Sequence, residues 1–406
     1  MTVRPDPAHA PAALSRGEFV ALMAVLVAIV AFSIDAMLPA LPQIAADLSP
    51  DNVNAAQLVL TAFVFGMGAG TLIAGPISDA IGRKPAITAG VAVYVAGSLA
   101  AAMAQSLEVL LVARVVQGIG AAGPRIVSLA LVRDCFEGRR MAQIMSFVMM
   151  IFVLIPAVAP FIGSLIIPSF GWRGVFGAFV LFGLVGAIWL NLRQPETLPP
   201  NARVPLRAAV LKVAFLEVVG HPMVRIYIAV LTLGFGQMFA LLSSIQQIYA
   251  QTFDRAETFA LWFMAMAVLS GLGTIVNASL VMRLGMRRLA LASYAAQTVL
   301  AAALVVLWTA GLVPGWAAFP AFFFWTFTVF FMAGLTFGNL NALALQPLGH
   351  IAGMAASVVG AVATVLAVAI AAPIGLAFDG TPVPLFVGTA VCSALAWALM
   401  RRTVES

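Results

Sequence analysis

The segment Gly75-Pro76-Ile77-Ser78-Asp79-Ala80-Ile81-Gly82-Arg83-Lys84 lies between two long apolar runs, 54–77 and 85–104. Each run has the roughly 20 apolar residues that a helix needs to cross a membrane. The charged residues Asp79, Arg83 and Lys84 fall in a stretch that is too short to be a domain. The segment is therefore predicted to be a tight turn between two membrane helices.

The composition of the whole chain supports a membrane protein. Hydrophobic residues make up 63% of the 406 residues and charged residues 9%, whereas a soluble domain averages about 25% charged residues. The net charge of +6 comes from basic residues scattered singly through short loops, which argues against a nucleic-acid partner. Cys135 and Cys392 suggest no disulfide framework. We expect no metal or organic cofactor.

Apolar runs of membrane-spanning length recur along the chain, and they predict an all-α membrane protein. The first run has no signal-peptide cleavage motif, so it is interpreted as a retained span. The twelve predicted spans are 19–41, 54–78, 86–105, 107–132, 143–167, 172–192, 224–250, 257–282, 288–311, 316–345, 353–378 and 383–400. The long connection after the sixth span predicts two six-helix bundles, 1–192 and 224–406, joined by a linker, 193–223.

The distribution of basic residues predicts the orientation. Seventeen of the 21 Lys and Arg residues, including Arg4, fall on one side of the predicted spans. Arg173 and Arg255 occupy loops of the other side. Because positively charged loops stay in the cytoplasm, both termini are expected to be cytoplasmic.

A faint internal repeat relates the two halves. Residues 277–287 align with the turn at an offset of 203 positions, the difference between Gly82 and Gly285. The same offset carries Asp35 of the first span onto Met238, beside Gln237, in the seventh. The second half is thus expected to present neutral groups where the first half presents an acid.

Asp35 is the single carboxylate that lies neither in a loop nor at the end of a predicted span. A charge at a helix centre costs about 2.5–3.5 kcal/mol on insertion scales, so such residues usually serve a function. Arg114 in the fourth span is a candidate partner. At 1.5 Å per residue, Asp35 lies ~9 Å and Arg114 ~10 Å from the outer ends of their helices. The alternatives are a carboxyl for which a proton and an organic cation compete, and a static Asp35–Arg114 pair that fixes helix packing.

The turn at 75–84 resembles the loop between the second and third helices of the major facilitator superfamily. The segment Arg114-Val115-Val116-Gln117-Gly118-Ile119-Gly120 resembles the fourth-helix motif of its proton-coupled exporters. Further segments resemble its bicyclomycin and chloramphenicol resistance branch of multidrug efflux transporters; they are 35–42, 132–134, 155–163, 171–173, 195–198, 344–347 and 352–357. The resemblance implies two pseudo-symmetric six-helix bundles and proton coupling through Asp35 and Arg114.

Some residues depart from this resemblance or carry weaker predictions. Ser164 replaces a glycine of the fifth-helix motif, and Arg125 is not part of the shared motif. Arg125 lies eleven residues after Arg114 on the same helix face. There it contacts substrate, reaches cytoplasmic water or pairs structurally with a neighbouring residue. The candidate substrate-binding residues are Asp35, Gln117, Arg125, Met149, Phe152, Gln237 and Phe239.

Two further groups are candidates for conformational roles. One is a cytoplasmic latch, for which the alternative is charge that serves topology alone; it comprises Gly75, Asp79, Gly82, Arg83, Lys84, Asp134 and Glu196. Asp79 is expected to approach a helix N-terminus, and Arg83 and Lys84 to reach Asp134 and Glu196. The other group is Pro156, Pro160 and Gly163, predicted to bend the fifth span. The alternative there is an ordinary proline kink.

The leading hypothesis is a proton-driven exporter of small hydrophobic or cationic drugs that moves one proton per cycle. The alternative is a dedicated exporter of an amino acid or organic acid that uses Arg125. An enzyme is disfavoured because the chain has no H-E-x-x-H or G-x-S-x-G motif, and a channel because it has no ring of charges. We expect a monomer in the bacterial inner membrane, with protons, lipid and a small-molecule substrate as its partners.

Overall fold

The structure is a computed structural model and describes residues 14–403; Arg4 lies outside them. Within that range the regular elements are helices, with no strand. The α-helices are α1 (Arg16–Asp35), α2 (Leu41–Leu48), α3 (Leu58–Ile81), α4 (Arg83–Ala102), α5 (Leu107–Cys135), α6 (Gly138–Arg193), α7 (Ala208–Gly220), α8 (Pro222–Gln251), α9 (Phe259–Leu284), α10 (Met286–Thr309), α11 (Gly315–Leu345), α12 (Ala352–Leu376) and α13 (Val383–Arg401).

Ten helical stretches of the described chain are long and apolar enough to cross a membrane, and two of them can cross twice. The stretch Gly138–Arg193 has 56 residues and is broken at Gly171, where φ is 64°. The stretch Gly315–Leu376 has 62 residues and contains α11 and α12, which are joined by a short 3-10 turn. The prediction of an all-α protein with twelve membrane helices is confirmed.

The helices pack as two groups. Helices α1 to α6 form a first bundle and α8 to α13 a second, and the main contacts between them are α3 with α12 and α6 with α9. Helix α7 lies in the predicted linker and packs on α12 and α8. Helix α7 was not predicted from the sequence because its 13 residues are too few to cross a membrane. The exact domain boundaries stay a prediction.

The first span differs from its predicted extent of 19–41. Helix α1 ends at Asp35, and the chain continues through a 3-10 turn at Leu38–Ala40 into α2. Pro39 and Pro42 lack the backbone N–H that would continue the α-helical ladder. Asp35 therefore lies at the last position of a helix rather than in its middle.

Candidate transport site

A cavity of about 390 Å³ lies between the two bundles and receives residues from both. Its lining is mostly apolar, with thioether and aromatic side chains that include Met67, Phe152, Met238, Phe239, Phe263 and Phe337. Such side chains can repack around ligands of different shapes. The volume is in the range of small-molecule sites. Of the predicted binding residues, Asp35, Arg125, Phe152 and Phe239 line this cavity.

Asp35 brings the acidic group to this cavity. Its side chain is buried, with 4% of the residue exposed, and it lines the cavity from the end of α1. Among the described residues its carboxyl has no hydrogen-bond or ion-pair partner. Met238, which the sequence repeat places as its counterpart, lines the same cavity from α8. The two residues that the sequence repeat relates, Asp35 and Met238, therefore line the same cavity.

Arg125 brings a cation to the same cavity from α5. Its Nη1 lies 3.6 Å from the Met67 sulfur, and a thioether is a weak acceptor. Within residues 14–403 no carboxylate pairs with this guanidinium. The structure therefore favours the substrate-facing interpretation of Arg125 over a residue that reaches bulk water.

Arg114 does not reach Asp35, so the predicted contact between these residues is not formed. Its side chain is fully buried inside the first bundle. It donates to the carbonyl oxygens of Val59 at 3.1 Å and Ser33 at 3.1 Å, and to Gln117 Oε1 at 2.7 Å. The guanidinium also stacks 4.4 Å from the centre of the Phe63 ring. The Arg114 side chain turns into the first bundle instead of the cavity.

Three predicted binding residues do not line the cavity. Gln117 donates to Ser98 Oγ at 2.8 Å inside the first bundle. Gln237 accepts from Ser393 Oγ at 2.9 Å inside the second. Met149 is half-buried on α6, away from the cavity. In a helix each residue is rotated by about 100° from the next, so Gln237 faces inward while its neighbour Met238 faces the cavity.

The fifth-span residues lie on the first part of α6. Pro156 lines the cavity. The backbone angles stay helical through Pro156 and Pro160 and break at Gly171. Gly163 packs so closely on the chain after α1 that a Cβ atom there would lie 2.2 Å from the Ala36 carbonyl oxygen. A role of these prolines in the direction of transport stays a prediction.

The turn between α3 and α4 is held by charged contacts. We call the end of the protein that carries this turn, with Arg83 and Lys84, the basic end. Arg83 pairs with Asp79, with Asp134 at 2.8 Å, and donates to Ser78 Oγ at 2.6 Å. Gly82 has a φ of 109°, a backbone conformation that residues with a side chain rarely adopt. Gly75, at the other end of the predicted latch, faces Ser357 of the second bundle.

Glu196, rather than Asp79, caps the N-terminus of α4. Its two carboxylate oxygens accept from the backbone N–H groups of Arg83 and Lys84, each at 3.0 Å. A carboxylate there is favoured by unpaired N–H groups and by the helix dipole. The Lys84 ammonium donates to the Asn191 carbonyl oxygen at 2.9 Å instead of a carboxylate. The predicted residues thus come together, with the roles of Asp79 and Glu196 exchanged.

Replacing Arg83 with glutamine should destabilise the protein measurably. The change removes the cation shared by Asp79 and Asp134, and hydrogen bonds to charged groups contribute about 1.5–3 kcal/mol. We expect a lower thermal unfolding midpoint in detergent and slower transport. The matched control is Arg133→Gln, because Arg133 is exposed and donates to a carbonyl of its own helix. Equal midpoints for the two variants would contradict this role.

Neutral amides close the opposite end of the interface between the bundles. Gln57 donates to Gln247 Oε1 at 2.7 Å and accepts from Ser244 Oγ at 2.8 Å. Gln247 donates to Asn54 Oδ1 at 2.8 Å, and Asn54 donates to the Phe378 carbonyl oxygen at 2.7 Å. We call Asn54, Gln57, Ser244 and Gln247 the amide seal. The amide seal was not predicted from the sequence, although the matching spacings 54/57 and 244/247 could have indicated two helix turns that face each other.

Replacing Gln57 with leucine should open the amide seal. Gln247 and Ser244 would lose buried hydrogen-bond partners, and each unsatisfied group destabilises the closed interface by about 1–3 kcal/mol. In a Cys135→Ser, Leu242→Cys background, we expect about tenfold faster labelling by an impermeant thiol reagent added from the seal side. Gln105→Leu, at an exposed position, is the control. Unchanged labelling of the Gln57 variant would show that the amides do not hold this end closed.

A family model described as the Major Facilitator Superfamily matches residues 23–400. The chain belongs to this superfamily. It is 31% identical over 355 residues to the "Bicyclomycin resistance protein homolog" of Haemophilus influenzae, covering 85% of each chain. It is 29% identical over 336 residues to the "Multidrug resistance protein MdtL" of Citrobacter koseri, covering 80% of each. The predicted family is confirmed, and the protein is a multi-pass membrane transporter rather than an enzyme.

Solved structures of the superfamily share this fold. The xylose transporter XylE of E. coli, in a partially occluded inward-open conformation, aligns with a TM-score of 0.74 and 11% identity over 96% of this chain and all of that one. The human organic anion transporter MFSD10 aligns with a TM-score of 0.63 and 17% identity, over 95% of this chain and all of that one. At these identities the likeness establishes the architecture alone.

Proposed function

We propose that the protein is a proton-coupled exporter that exchanges protons for small hydrophobic or cationic compounds. The observation that carries this proposal is a buried carboxyl, Asp35, that has no partner among the described residues and faces an aromatic and thioether-rich cavity between the bundles. The named functions of the relatives, resistance to bicyclomycin and to multiple drugs, support export of toxic compounds.

Competition at Asp35 provides the coupling. The deprotonated carboxylate attracts a cation, and the protonated carboxyl carries no charge, so a proton entering from outside favours release of the bound compound. One such group implies one proton per cycle. Exchange for a monocation is then electroneutral, and exchange for a neutral compound moves one charge. Arg114 acts as a positioning residue, since it donates to the Ser33 carbonyl two residues before Asp35.

Alternating access would use the two ends of the interface between the bundles. The amide seal closes the end opposite to the basic end, and opening it requires the bundles to separate at Gln57 and Gln247. The basic end carries most of the Lys and Arg residues, so we place it and both termini in the cytoplasm of a bacterial inner membrane. The protein would work as a monomer and use the proton gradient in place of a cofactor.

Proton release in everted membrane vesicles tests this function directly. An acid-inside gradient is set, and tetraphenylphosphonium or a neutral antibiotic is then added to vesicles with and without the protein. We expect protons to leave the lumen upon addition, in protein-containing vesicles alone. Transport of the compound without proton movement would contradict antiport. If neither compound is transported, the proposal of drug export would be wrong.

A further inference from the structure

We propose that the preferred substrates are amphoteric: an aromatic body with a cationic amine at one end and a carboxylate at the other. In this arrangement Asp35 contacts the amine and Arg125 contacts the carboxylate. The inference rests on the proposed function, because it takes Asp35 as the group where substrate and proton compete. It adds a substrate class and a second recognition residue to that function.

The two charged side chains share one cavity without neutralising each other. Asp35 lines it from α1 and Arg125 from α5. No nitrogen–oxygen distance of 4.0 Å or less joins them, and in the described chain neither side chain has another ion-pair partner. Arg125 gives one N–H to the Met67 sulfur, so most of its five donors remain available. A charged group kept unpaired in an apolar site is costly, and a ligand of opposite charge removes that cost.

An amphoteric ligand is the class that satisfies both groups at once. A simple cation on Asp35 is repelled by Arg125, and a simple anion on Arg125 is repelled by Asp35. A carboxylate can take two parallel hydrogen bonds from the guanidinium fork, which a lysine ammonium does not offer. Phe239, Phe263 and Phe337 line the same space, where they can pack against a ring system.

This substrate class changes the charge balance of the cycle. A zwitterion has no net charge, so exchanging it for one proton moves one positive charge inward. Export of an amphoteric compound should therefore respond to the membrane potential, whereas one-for-one exchange of a monocation should not. The amine is released when Asp35 takes up the proton, and the carboxylate then remains on Arg125 alone. Loss of one of the two charged contacts lowers the affinity of the site for the substrate.

Equilibrium dialysis with purified protein in detergent tests the recognition step without any requirement for transport. The probes are norfloxacin, which carries an amine and a carboxylate on an aromatic body, its methyl ester, and its N-acetyl derivative. We expect the native protein to bind norfloxacin about tenfold more tightly than either derivative, the effect of losing one charged contact. Arg125→Gln should abolish the preference for norfloxacin over the ester.

The variants separate recognition from misfolding. Continued binding of the methyl ester shows that Arg125→Gln is folded, and Arg125→Lys should restore only part of the preference because lysine lacks the guanidinium fork. Arg133→Gln, outside the cavity, should bind all probes like the native protein. Equal binding of norfloxacin and its ester to the native protein would overturn the inference. So would a preference that survives Arg125→Gln.

Tetraphenylphosphonium, which has no carboxylate, separates this inference from the proposed function. If it releases protons from vesicles while norfloxacin shows no preferential binding, the antiporter is supported and the amphoteric class is wrong. If norfloxacin binds preferentially through Arg125 but no compound moves protons, the recognition step holds and antiport is wrong.

Discussion

Replacing Asp35 with asparagine is expected to abolish proton release on addition of a lipophilic cation. The amide keeps the shape of the side chain but cannot take up or lose a proton, and it has no charge to attract the cation. Opposite charges 4 Å apart interact by about 4 kcal/mol at an effective dielectric constant of 20. Even a third of that energy corresponds to about a tenfold loss of cation binding. The measurement is proton release in everted vesicles, with cation binding measured in parallel.

Two variants make the Asp35 result specific. Asp51→Asn removes an exposed carboxylate outside the cavity and should leave proton release unchanged. Asp35→Glu keeps a titrating carboxyl and should retain part of the coupling. Proton release by Asp35→Asn at the native level would show that another group carries the proton. In that case both variants, Asp35→Asn and Asp51→Asn, would release protons normally, and Asp35 would have no part in the mechanism.

Local sequence features predicted the architecture well. A membrane span needs only an unbroken apolar run of sufficient length, so the twelve spans could be found one at a time. The turn at Gly82 was found for the same reason, because its glycine and charges stand out between two apolar runs. The early end of α1 was harder to find. Pro39 and Pro42 lie in an apolar segment that continues past Asp35, and apolarity alone does not show where the helix stops.

Side-chain direction explains most errors at the site. Asp35 and Arg125 were chosen as candidates because a charge inside a span is rare, and both line the cavity. Arg114 and Gln117 were chosen by depth and motif, but at their level the rotation of α5 turns both into the first bundle. Arg125 lies further along α5, beyond Pro124, and lines the cavity. That rotation depends on how α3, α4 and α5 pack together, which no single helix sequence specifies. The amide seal and the Glu196 cap join residues more than 100 positions apart, so no single segment shows which residues pair. The matching spacings 54/57 and 244/247 become informative only when the two segments are compared.

Replacing Gly163 with alanine is expected to destabilise the protein strongly. The new Cβ would lie 2.2 Å from the Ala36 carbonyl oxygen. Both helices meet there through backbone atoms, so no side chain can rotate away to make room. Forcing an extra methyl group into a packed interior typically costs about 1–3 kcal/mol. We expect a clearly lower thermal unfolding midpoint in detergent and poor accumulation in the membrane.

Gly177→Ala on the same helix α6 is the matched control, because a Cβ at Gly177 has no heavy atom within 4 Å. It should leave the midpoint and transport unchanged. The clash at Gly163 falls on the residue after Asp35, so any Gly163→Ala protein that does fold must displace the end of α1. Its cation binding should then be weaker even at temperatures where it remains folded. A variant with native stability and native cation binding would show that α6 does not hold the end of α1 in place.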